Sequence, residues 1–335
     1  MKPPIIAFFN NKGGVGKTSL VYHLAWMYFD LGFRVLAADL DPQANLTSAF
    51  LNEDRLEEIW EGEERPNTIF RCVKPLLRGI GDIVKPELEE LDDGLNLLIG
   101  DLQLSGFEDE LSSQWPDCLD GKERAFRVIS AFWRLLDEAA SDCSADIVLV
   151  DLGPNLGAIN RAALISADYI VVPLSPDLFS LQGLKNLGPT VLRWRKEWEE
   201  RILKNPAKEE LLLPKGIMRP IGYVILQHGV RFDRPVMAFQ RWIEKIPSTY
   251  RIEVLQENTQ DLLDLDNKPE NDPNRLALLK HYQSLMPMAQ ESNKPIFQLK
   301  PADGAIGAHV KAVQKVYGDF KELALKIKQR IEESV

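Results

Sequence analysis

The chain has 335 residues, of which 45% are apolar and 27% are charged, and its formal net charge is −10. This apolar fraction is large enough to build a substantial core, which excludes an intrinsically disordered protein. The acidic balance excludes a general polyanion-binding protein, so any contact with nucleic acid has to come from a local basic patch.

The first predicted strand, Ile5–Phe9, is followed by a glycine-rich run at 11–19 and by a helical apolar pattern that ends at Gly32. A strand, a glycine-rich loop and a helix in this order are the context that a phosphate-binding loop requires. Glycines allow backbone N–H groups to surround phosphate oxygens, and the helix N-terminus adds a favourable dipole. The residues expected to bind the nucleotide here are Lys12, Gly13, Gly14, Val15, Gly16, Lys17, Thr18 and Ser19.

Two lysines lie in this loop. Lys17 is placed to reach the β- and γ-phosphates, and the Thr18 hydroxyl is placed to bind Mg²⁺. The usual pattern has a glycine five residues before Gly16, where this chain has Asn11, and the second lysine, Lys12, stands at the mouth of the loop. The alternative interpretation is that a glycine-rich turn between a strand and a helix serves chain geometry alone.

The second predicted strand, Val35–Ala38, leads into two acidic residues, Asp39 and Asp41. Alternation along a strand points both carboxylates to the same side. Beside a phosphate-binding loop, two such groups can orient a water molecule and support a metal ion. The Asp-Pro pair that ends this motif is also common turn chemistry, so the motif alone does not decide between the two interpretations.

Another predicted strand, Ile147–Val150, ends at Asp151. An apolar strand that ends in an aspartate is the arrangement of a Walker B carboxylate, which faces Mg²⁺ at the carboxyl end of the strand. The tight loop 153–155 that follows is suited to sensing a γ-phosphate. The alternative role for Asp151 is that of a helix cap or a turn residue.

Apolar runs also predict strands at Leu95–Ile99, Tyr169–Val172 and Ile221–Leu226. Because most of the runs are unbroken and alternate with helical patterns, we predict an α/β fold with a mostly parallel, doubly wound sheet. Residues 1–335 are expected to form one domain. Its two additions are an acidic insert around 52–122 and a polar loop around 256–274.

Basic side chains cluster in a predicted helix around residues 193–204. Such side chains can hold DNA phosphates without reading the base sequence, and the resulting affinity is sensitive to salt. Neighbouring glutamates weaken the patch, and a solvated helix with its own ion pairs is the alternative interpretation. The candidate DNA-binding residues are Arg193, Arg195, Lys196, Arg201 and Lys204.

The last helical pattern has a single apolar stripe and is expected to pack on its own domain rather than on a membrane surface, with DNA contact through its basic faces as the alternative. The stripe consists of Val310, Val313, Tyr317, Phe320, Ala324, Ile327 and Ile331. No apolar run is long enough to span a membrane, and the first residues are too short for a signal peptide. The three cysteines are scattered along the chain, which fits reduced thiols in a cytoplasm. Together these features predict a cytoplasmic protein without a membrane partner.

Taken together, these motifs resemble those of the ParA/MinD group of deviant Walker ATPases, especially the ParA/Soj-type partition ATPases. The segments that carry the resemblance are 12–18, 39–43, 151–154, 167–173, 180–184, 289–296 and 304–307. The resemblance covers most of the chain apart from the acidic insert and the polar loop. It implies a P-loop NTPase fold of the SIMIBI type, with ATP and Mg²⁺ as cofactors.

The same resemblance implies a role for each motif residue. Lys12 would be the signature lysine, which reaches the phosphates of the partner subunit in a homodimer formed on ATP binding. Lys17 would act on the phosphates of its own subunit, and Asp41 would position or activate the hydrolytic water. Asp39 would support the metal region, and Asp151 would hold Mg²⁺ through water.

The implied function is that of an ATPase that uses ATP binding and slow hydrolysis to control DNA partition or intracellular positioning. Adenine would lie near Gln227 and around Pro287. A ParB-like protein or cargo adaptor would stimulate turnover, and the ATP dimer would bind DNA non-specifically and associate with the nucleoid. The alternative is a regulatory ATPase of a defence or signalling operon, which acts through a protein partner without DNA. A metal-insertion enzyme of the same fold is disfavoured, because the cysteines do not follow the Walker B strand.

Overall fold

A computed structural model describes residues 2–62, 65–226, 236–258, 270–280, 282 and 285–334. Within these residues the strands are β1 (Ile5–Phe8), β2 (Val35–Asp39), β3 (Leu88–Asp92), β4 (Leu95–Leu98), β5 (Ile147–Asp151), β6 (Tyr169–Leu174), β7 (Arg219–Leu226) and β8 (Arg275–Leu279). The helices are α1 (Lys17–Asp30), α2 (Asn45–Phe50), α3 (Glu53–Glu61), α4 (Ile69–Leu77), α5 (Glu108–Asp117), α6 (Glu123–Ile129), α7 (Ala131–Asp142), α8 (Ala158–Ser166), α9 (Leu178–Ile202), α10 (Val236–Ile243), α11 (Ile246–Thr249), α12 (Leu285–Glu291) and α13 (Ala308–Glu332).

The strands form a sheet in the order β3-β4-β2-β5-β1-β6-β7-β8. Strand β2 pairs in parallel with β4 and β5, β1 pairs in parallel with β5, and β7 pairs in parallel with β8. Strand β3 runs antiparallel to β4. Every residue of β1, β2 and β5 is buried, as expected for parallel strands that are covered on both faces. The predicted α/β fold with a mostly parallel, doubly wound sheet is confirmed.

All six strands predicted from apolar runs are present, and their ends differ from the prediction by one or two residues. The sequence pattern does not predict β3 and β8, which form the two edges of the sheet. Strand β3 has the sequence LEELD and is only half-buried, so it lacks the apolar run that marks the central strands. Charged side chains are typical of edge strands, because they disfavour pairing with a strand of another chain.

By its internal contacts the chain divides into two compact units. The first unit comprises Met1–Phe8, Thr18–Ile170 and Arg193–Arg219, and the second comprises Phe9–Lys17, Val171–Leu192 and Pro220–Val335. In the first unit, α7 packs on β2 and β5, and α8 packs on β1. The buried rings of Phe107 and Phe132 meet edge to face within its core. The single domain predicted for residues 1–335 stays a prediction.

The acidic segment 52–122 combines a charged surface helix with a strand of the core. Asn52 caps α3 by accepting a hydrogen bond from the Arg55 N–H at 2.9 Å, and most acidic side chains of this helix are exposed. Strand β4 of the same segment pairs with β2, from Val35–Leu95 to Ala38–Leu98. The segment therefore contributes a buried strand to the sheet as well as an acidic surface.

The C-terminal helix α13 packs on its own unit, as the apolar stripe predicts. Lys326 donates to the Arg275 carbonyl of β8 at 2.6 Å, and Arg330 donates to the Ile221 carbonyl of β7 at 3.1 Å. Val310, at the start of the predicted stripe, is 40% exposed. The side chains buried from this helix are Val313, Val316, Phe320, Leu323, Ala324 and Ile327.

Two further predictions concern membranes and thiols. Among the described residues, no helix has the length and apolar character that crossing a bilayer requires. Cys72, Cys118 and Cys143 are all buried and are free thiols, as predicted for cysteines that act as small apolar side chains.

Candidate nucleotide-binding site

The glycine-rich loop leads from the end of β1 into α1, which begins at Lys17. Gly14 and Gly16 have φ angles of 70° and 88°, in the left-handed region that favours glycine. A Cβ at Gly14 would meet no atom within 4 Å, so the backbone conformation, and not crowding, requires glycine there. Lys17 is buried, with 7% of its surface exposed. The strand, loop and helix predicted around this motif are therefore all present.

Lys12, at the mouth of the loop, forms an ion pair with Asp177, which directly precedes α9. Asp177 also accepts a hydrogen bond from the Ser180 N–H at 2.9 Å, so its carboxylate caps the helix. The side chains of Lys12 and Asp177 are 27% and 30% exposed. The ammonium group is thus held within its own chain, and its predicted reach to a partner subunit stays a prediction.

Gly183 allows α9 to lie close to the start of the glycine-rich loop. A Cβ at this position would lie 2.8 Å from Asn11 Oδ1 and 3.0 Å from Asn10 Oδ1. Asn10 donates through Nδ2 to the Pro173 carbonyl at 2.7 Å and accepts a hydrogen bond from the Lys12 N–H at 3.0 Å. Asn10 therefore anchors the start of the loop on β6, and Gly183 leaves room for this anchor.

The hydroxyl of Thr18, the second residue of α1, donates a hydrogen bond of 2.6 Å to Asp151 Oδ2. Asp151 is the last residue of β5 and is fully buried. Its register partner is Asp39, the last residue of β2, so the two carboxylates end neighbouring parallel strands. The hydroxyl that follows the glycine-rich loop and the carboxylate at the strand end are therefore in direct contact.

These groups fit the requirements of a magnesium site. Mg²⁺ prefers oxygen ligands, keeps several waters, and is commonly held by one or two carboxylates together with substrate phosphates. Thr18 and Asp151 supply a hydroxyl and a carboxylate side by side. In the described part of the chain, no group of three or more His, Cys, Asp or Glu side chains could hold a metal ion by itself. A magnesium ion at Thr18 and Asp151 would therefore need phosphate oxygens and water to complete its ligands.

Asp39 organises the chain that follows β2. Its Oδ2 accepts hydrogen bonds from the N–H and the hydroxyl of Thr47, both at 2.8 Å, and its Oδ1 accepts one from the Asp41 N–H at 3.2 Å. Burial raises the pKa of the Asp39 carboxyl to about 7, the charge of Asp41 adds to this rise, and the bonds from Thr47 oppose it. The two carboxylate oxygens of Asp39 therefore hold residues 41–47 in place. The predicted role of Asp39 in supporting a metal ion stays a prediction.

Gly100, two residues after β4, is expected to tolerate no side chain. Its N–H donates to Thr47 Oγ1 at 2.8 Å, and a Cβ would lie 2.7 Å from Asp39 Oδ2. We expect Gly100→Ala to lower the free energy of unfolding, measured with urea, by about 1–3 kcal/mol, the usual cost of overpacking. The control is Gly81→Ala, where a Cβ would meet only Pro75, at 3.6 Å. Equal effects of the two substitutions would contradict the prediction.

Asp41 lies beside the loop that follows β5. Its Oδ1 accepts a hydrogen bond from the Gln43 N–H at 3.0 Å, and the residue is 5% exposed. A Cβ at Gly153 would lie 3.1 Å from Asp41 Oδ1, so the glycine lets the loop 153–155 approach this carboxylate. Asp41, which is predicted to position or activate water, therefore lies next to the loop 153–155, which is predicted to sense a γ-phosphate.

The loop after β5 is held by a buried asparagine of α8. Asn160 donates through Nδ2 to the Gly153 carbonyl at 2.9 Å and to the Asn155 carbonyl at 2.7 Å. The side chain of Asn155 in turn accepts a hydrogen bond from the Gly157 N–H at 2.9 Å. Both ends of the loop are thus tied to the start of α8.

His23, in the middle of α1, is buried and donates from Nδ1 to the Ser19 carbonyl at 2.7 Å. Burial lowers the pKa of His23 to about 4, so the ring stays neutral in the folded protein at ordinary pH. Below the usual histidine pKa the unfolded chain binds a proton that the folded chain does not, so stability is lost as the pH falls. We expect this residue to cost about 1.4 kcal/mol of stability between about pH 7.5 and about pH 5.5.

The measurement is urea unfolding at both pH values for the wild type and for His23→Asn, whose side-chain amide keeps a donor for the Ser19 carbonyl. The raised pKa of Asp39 acts in the opposite direction over this range. The change in the free energy of unfolding between the two pH values is therefore compared in the wild type and the variant. The difference between the two proteins reports on His23, whereas the wild type alone combines His23 and Asp39. The same pH dependence in both proteins would contradict the assignment.

The candidate DNA-binding residues do not share one exposed surface. Arg201 is 6% exposed, and its guanidinium donates to the Trp115 carbonyl at 3.0 Å and lies 4.1 Å from the centre of the Trp115 ring. This interior position leaves Arg201 unavailable to a phosphate, which corrects the prediction for this residue. Arg195 is half-buried and donates to the Met218 carbonyl at 2.6 Å. The exposed members of the set are Arg193, Lys196 and Lys204.

The two residues predicted to lie near adenine remain predictions. Gln227 lies outside the described residues. Pro287 is exposed on α12.

Four residues that the structure places around the motifs are missed by the sequence analysis. Asp177 has a signal, because aspartate is one of the residues preferred at the position just before a helix. The other three have no local signal, since their contacts join segments that are distant in sequence. They are Thr47, Gly100 and Asn160.

A mostly parallel sheet with a glycine-rich loop before α1, and Thr18 bonded to a carboxylate at the end of β5, defines a P-loop nucleotide-binding protein. Residues 3–204 match the AAA domain family, and the chain belongs to this family. Its relatives place it among the ParA/MinD-like P-loop ATPases, as the motifs predict.

Two curated relatives give the extent of the similarity. An uncharacterised protein of Methanocaldococcus jannaschii (MJECL24) is 26% identical over 250 residues, which cover 73% of this chain and 80% of that protein. The chromosome partitioning protein ParA of Caulobacter vibrioides is 30% identical over 198 residues, which cover 59% of this chain and 66% of ParA. The match thus spans just under two thirds of the length of ParA.

Solved structures share the fold over nearly the whole chain. Protein DIP2308 of Corynebacterium diphtheriae has a TM-score of 0.66 and 24% identity, with 99% of this chain and 100% of that chain covered. A putative plasmid partition protein of Borrelia burgdorferi, solved with AMPPNP, has a TM-score of 0.57 and 18% identity, with 97% and 99% covered. At these identities the likeness extends to the fold alone.

Proposed function

We propose that the protein is a Mg²⁺-dependent ATPase that binds ATP at the loop 11–19 and dimerises on binding it. The observation that carries this proposal is the 2.6 Å hydrogen bond between Thr18 and Asp151. It joins the hydroxyl that follows the glycine-rich loop to the carboxylate at the end of β5, and this pair suits Mg²⁺ next to a polyphosphate. Membership of the ParA/MinD-like P-loop ATPases supports ATP as the nucleotide.

Each side chain has a separate task in this proposal. Thr18 and Asp151 hold Mg²⁺, which neutralises phosphate charge when it is bound. Lys17 compensates the remaining charge on the phosphates of its own subunit. Asp41, next to Gly153, orients the attacking water, so hydrolysis depends on it.

Dimerisation depends on Lys12 in this proposal. Its ammonium group is partly exposed at the mouth of the loop and is paired with Asp177. An ion pair with this exposure contributes about 1 kcal/mol or less. A triphosphate, which carries more charge than one carboxylate, can therefore replace Asp177 as the partner of Lys12. The similarity to ParA supports the facing subunit as the source of that triphosphate.

The proposed use of the ATP cycle is DNA partition or intracellular positioning, with a ParB-like protein or cargo adaptor that stimulates turnover. The chromosome partitioning protein ParA among the relatives supports this role. Arg193, Lys196 and Lys204 are exposed, and they would give the ATP dimer a basic surface for non-specific DNA. The net charge of −10 would confine DNA binding to such a patch.

The proposal is tested by measuring assembly, turnover and DNA binding in the same buffers. With Mg²⁺ and a non-hydrolysable ATP analogue, light scattering is expected to give twice the mass of the 38.0 kDa chain, and ADP is expected to give the monomer. Phosphate release measures hydrolysis. Duplex DNA of arbitrary sequence is expected to shift in a gel only with the ATP-bound protein, and the shift is expected to weaken steeply as salt rises.

The DNA surface is tested by a matched pair of charge reversals. Lys196→Glu on α9 is expected to weaken DNA binding and to reduce the salt slope by roughly one, with dimerisation unchanged. Lys74→Glu, at an exposed position of α4, changes the charge equally and is expected to have no such effect. A monomer with every nucleotide would contradict the ATP dimer. A shift that is absent or insensitive to salt would contradict the partition role and favour a regulatory ATPase that acts on a protein partner.

A further inference from the structure

The acidic segment 52–122 reaches the loop after β5 through Glu108, the first residue of α5. The carboxylate of Glu108 accepts hydrogen bonds from the N–H groups of Ala158 and Ile159, which begin α8. Each N–H donates to a separate oxygen, and the bond from Ile159 is 2.9 Å long. The contact is therefore bidentate and charge-assisted, which makes it one of the stronger kinds of hydrogen bonding in proteins.

Helix α8 depends on this contact because it has no cap of its own. The residue before it is Gly157, which has no side chain to accept a hydrogen bond. The first N–H groups of a helix have no partner inside the helix and need an acceptor from elsewhere. A Cβ at Gly157 would lie 2.5 Å from Glu108 Oε1 and 2.9 Å from Asn155 Oδ1. The glycine is therefore what allows the carboxylate to reach the helix end.

The helix that carries Glu108 is itself firmly packed. Trp115, two turns further along α5, has the guanidinium groups of Arg161 and Arg201 at 4.3 Å and 4.1 Å from its ring. Its indole N–H donates to Glu197 at 3.1 Å, and Arg161 donates to the carbonyl of Leu111 at 3.3 Å. Helix α5 therefore holds the carboxylate in a defined position against α8.

A short series of contacts connects this carboxylate to Asp41. Asn160 follows Ile159 on α8 and holds the carbonyls of Gly153 and Asn155. Gly153 in turn lies against the Asp41 carboxylate. A shift of the start of α8 would therefore move Gly153 and change the space beside Asp41.

We infer that Glu108 is a positioning residue for the ATPase reaction. Its carboxylate fixes the N-terminus of α8 and, through Asn160, the distance between the loop 153–155 and Asp41. The inference rests on the proposed function, because it assigns Glu108 to the hydrolysis step in which Asp41 acts. It also gives the acidic segment a task beyond surface charge, since this segment supplies the acceptor that orders the loop.

The test compares Glu108→Gln with Asp109→Asn. Glutamine keeps the shape of glutamate but has one acceptor oxygen instead of two and no charge. Asp109 lies in the same acidic first turn of α5 and is exposed, so its variant removes an equal charge from the solvent side of the helix. We expect Glu108→Gln to lower kcat about tenfold, equivalent to roughly 1.4 kcal/mol. Its KM for ATP is expected to stay within about twofold of the wild type, as for a residue that acts on turnover rather than on binding. Asp109→Asn is expected to match the wild type in both constants.

Amide hydrogen exchange gives a second readout that does not depend on turnover. Exchange at residues 153–159 is expected to be faster in Glu108→Gln than in the wild type, and unchanged in Asp109→Asn. Gly157→Ala disturbs the same contact from the other side. It is expected to show both effects and to add little in the Glu108→Gln background, because the two substitutions break one interaction. If Glu108→Gln does not unfold cooperatively, Gly157→Ala carries the test.

Two outcomes would overturn the inference. One is wild-type kcat and wild-type exchange in Glu108→Gln and Gly157→Ala. The other is an equal loss of kcat in Asp109→Asn, because the loss of charge alone would then explain the effect. A wild-type protein that releases no phosphate from ATP would instead contradict the proposed function. In that case unchanged exchange at 153–159 in Glu108→Gln would overturn the positioning role as well, and faster exchange would support its structural basis.

Discussion

Replacement of Lys17 with alanine is expected to abolish ATP binding while the protein stays folded. Lys17 begins α1, is buried, and directly follows the glycines whose N–H groups are expected to face the phosphates. Hydrogen bonds from an ammonium group to a phosphate are about twice as strong as neutral ones, and a methyl group supplies neither charge nor donor. We expect the affinity for ATP to fall by at least about 100-fold, equivalent to roughly 2.7 kcal/mol.

Isothermal titration calorimetry with ATP and Mg²⁺ measures this change. Lys74→Ala, at an exposed position of α4, removes the same charge elsewhere and is expected to bind as the wild type does. Lys12→Ala separates the two lysines of the loop. If Lys12 acts on the partner subunit, its variant keeps ATP binding in the monomer and loses the dimer and its turnover. A Lys17→Ala protein that binds ATP within about threefold of the wild type would contradict the role of Lys17.

The parts of the site that the sequence predicted depend on local geometry or on one general rule. Gly14 and Gly16 mark a loop of left-handed backbone, and the helix that follows brings Thr18 to its N-terminus. The carboxyl ends of parallel strands lie on the same side of a sheet. The apolar runs alone therefore assigned Asp39 and Asp151 to that side. Neither argument requires the order of the strands.

The parts that the sequence did not predict depend on that order or on side-chain packing. Gly100 meets Thr47 because β4 lies next to β2, and no local pattern in either segment specifies this neighbour. Glu108 reaches α8 across a separation of 50 residues. Arg201 carries the charge expected of a DNA contact, but Trp115, 86 residues earlier in the chain, draws it into the interior. A count of charges along one helix does not contain this information.

Replacement of Asp41 with asparagine is expected to abolish hydrolysis and to leave ATP bound. Asparagine keeps the Oδ1 acceptor that binds the Gln43 N–H, so the turn after β2 is expected to survive. The carboxylate that would orient or activate the attacking water is lost, and such groups commonly contribute factors of 10² to 10⁴ in rate. We therefore expect kcat to fall by at least about 100-fold, with the Kd for ATP within about threefold of the wild type. Because dimer dissociation would follow hydrolysis, the variant is expected to remain a dimer with ATP itself.

Single-turnover phosphate release and light scattering measure these two effects, and Asp101→Asn is a matched control. Asp101 is also a buried aspartate, at 3% exposure, and its Oδ1 accepts a hydrogen bond from the N–H two residues later, on Gln103, at 2.8 Å. Asp41 and Asp101 therefore form the same kind of local turn, but only Asp41 adjoins Gly153 and the loop predicted to sense the γ-phosphate. Equal losses of kcat in both variants would assign the effect to a change in local structure and not to the loss of a carboxylate that acts on water. Normal turnover in Asp41→Asn would contradict a role of Asp41 in hydrolysis. Asp41 would then have only a structural role, as the acceptor of the Gln43 N–H in the turn after β2.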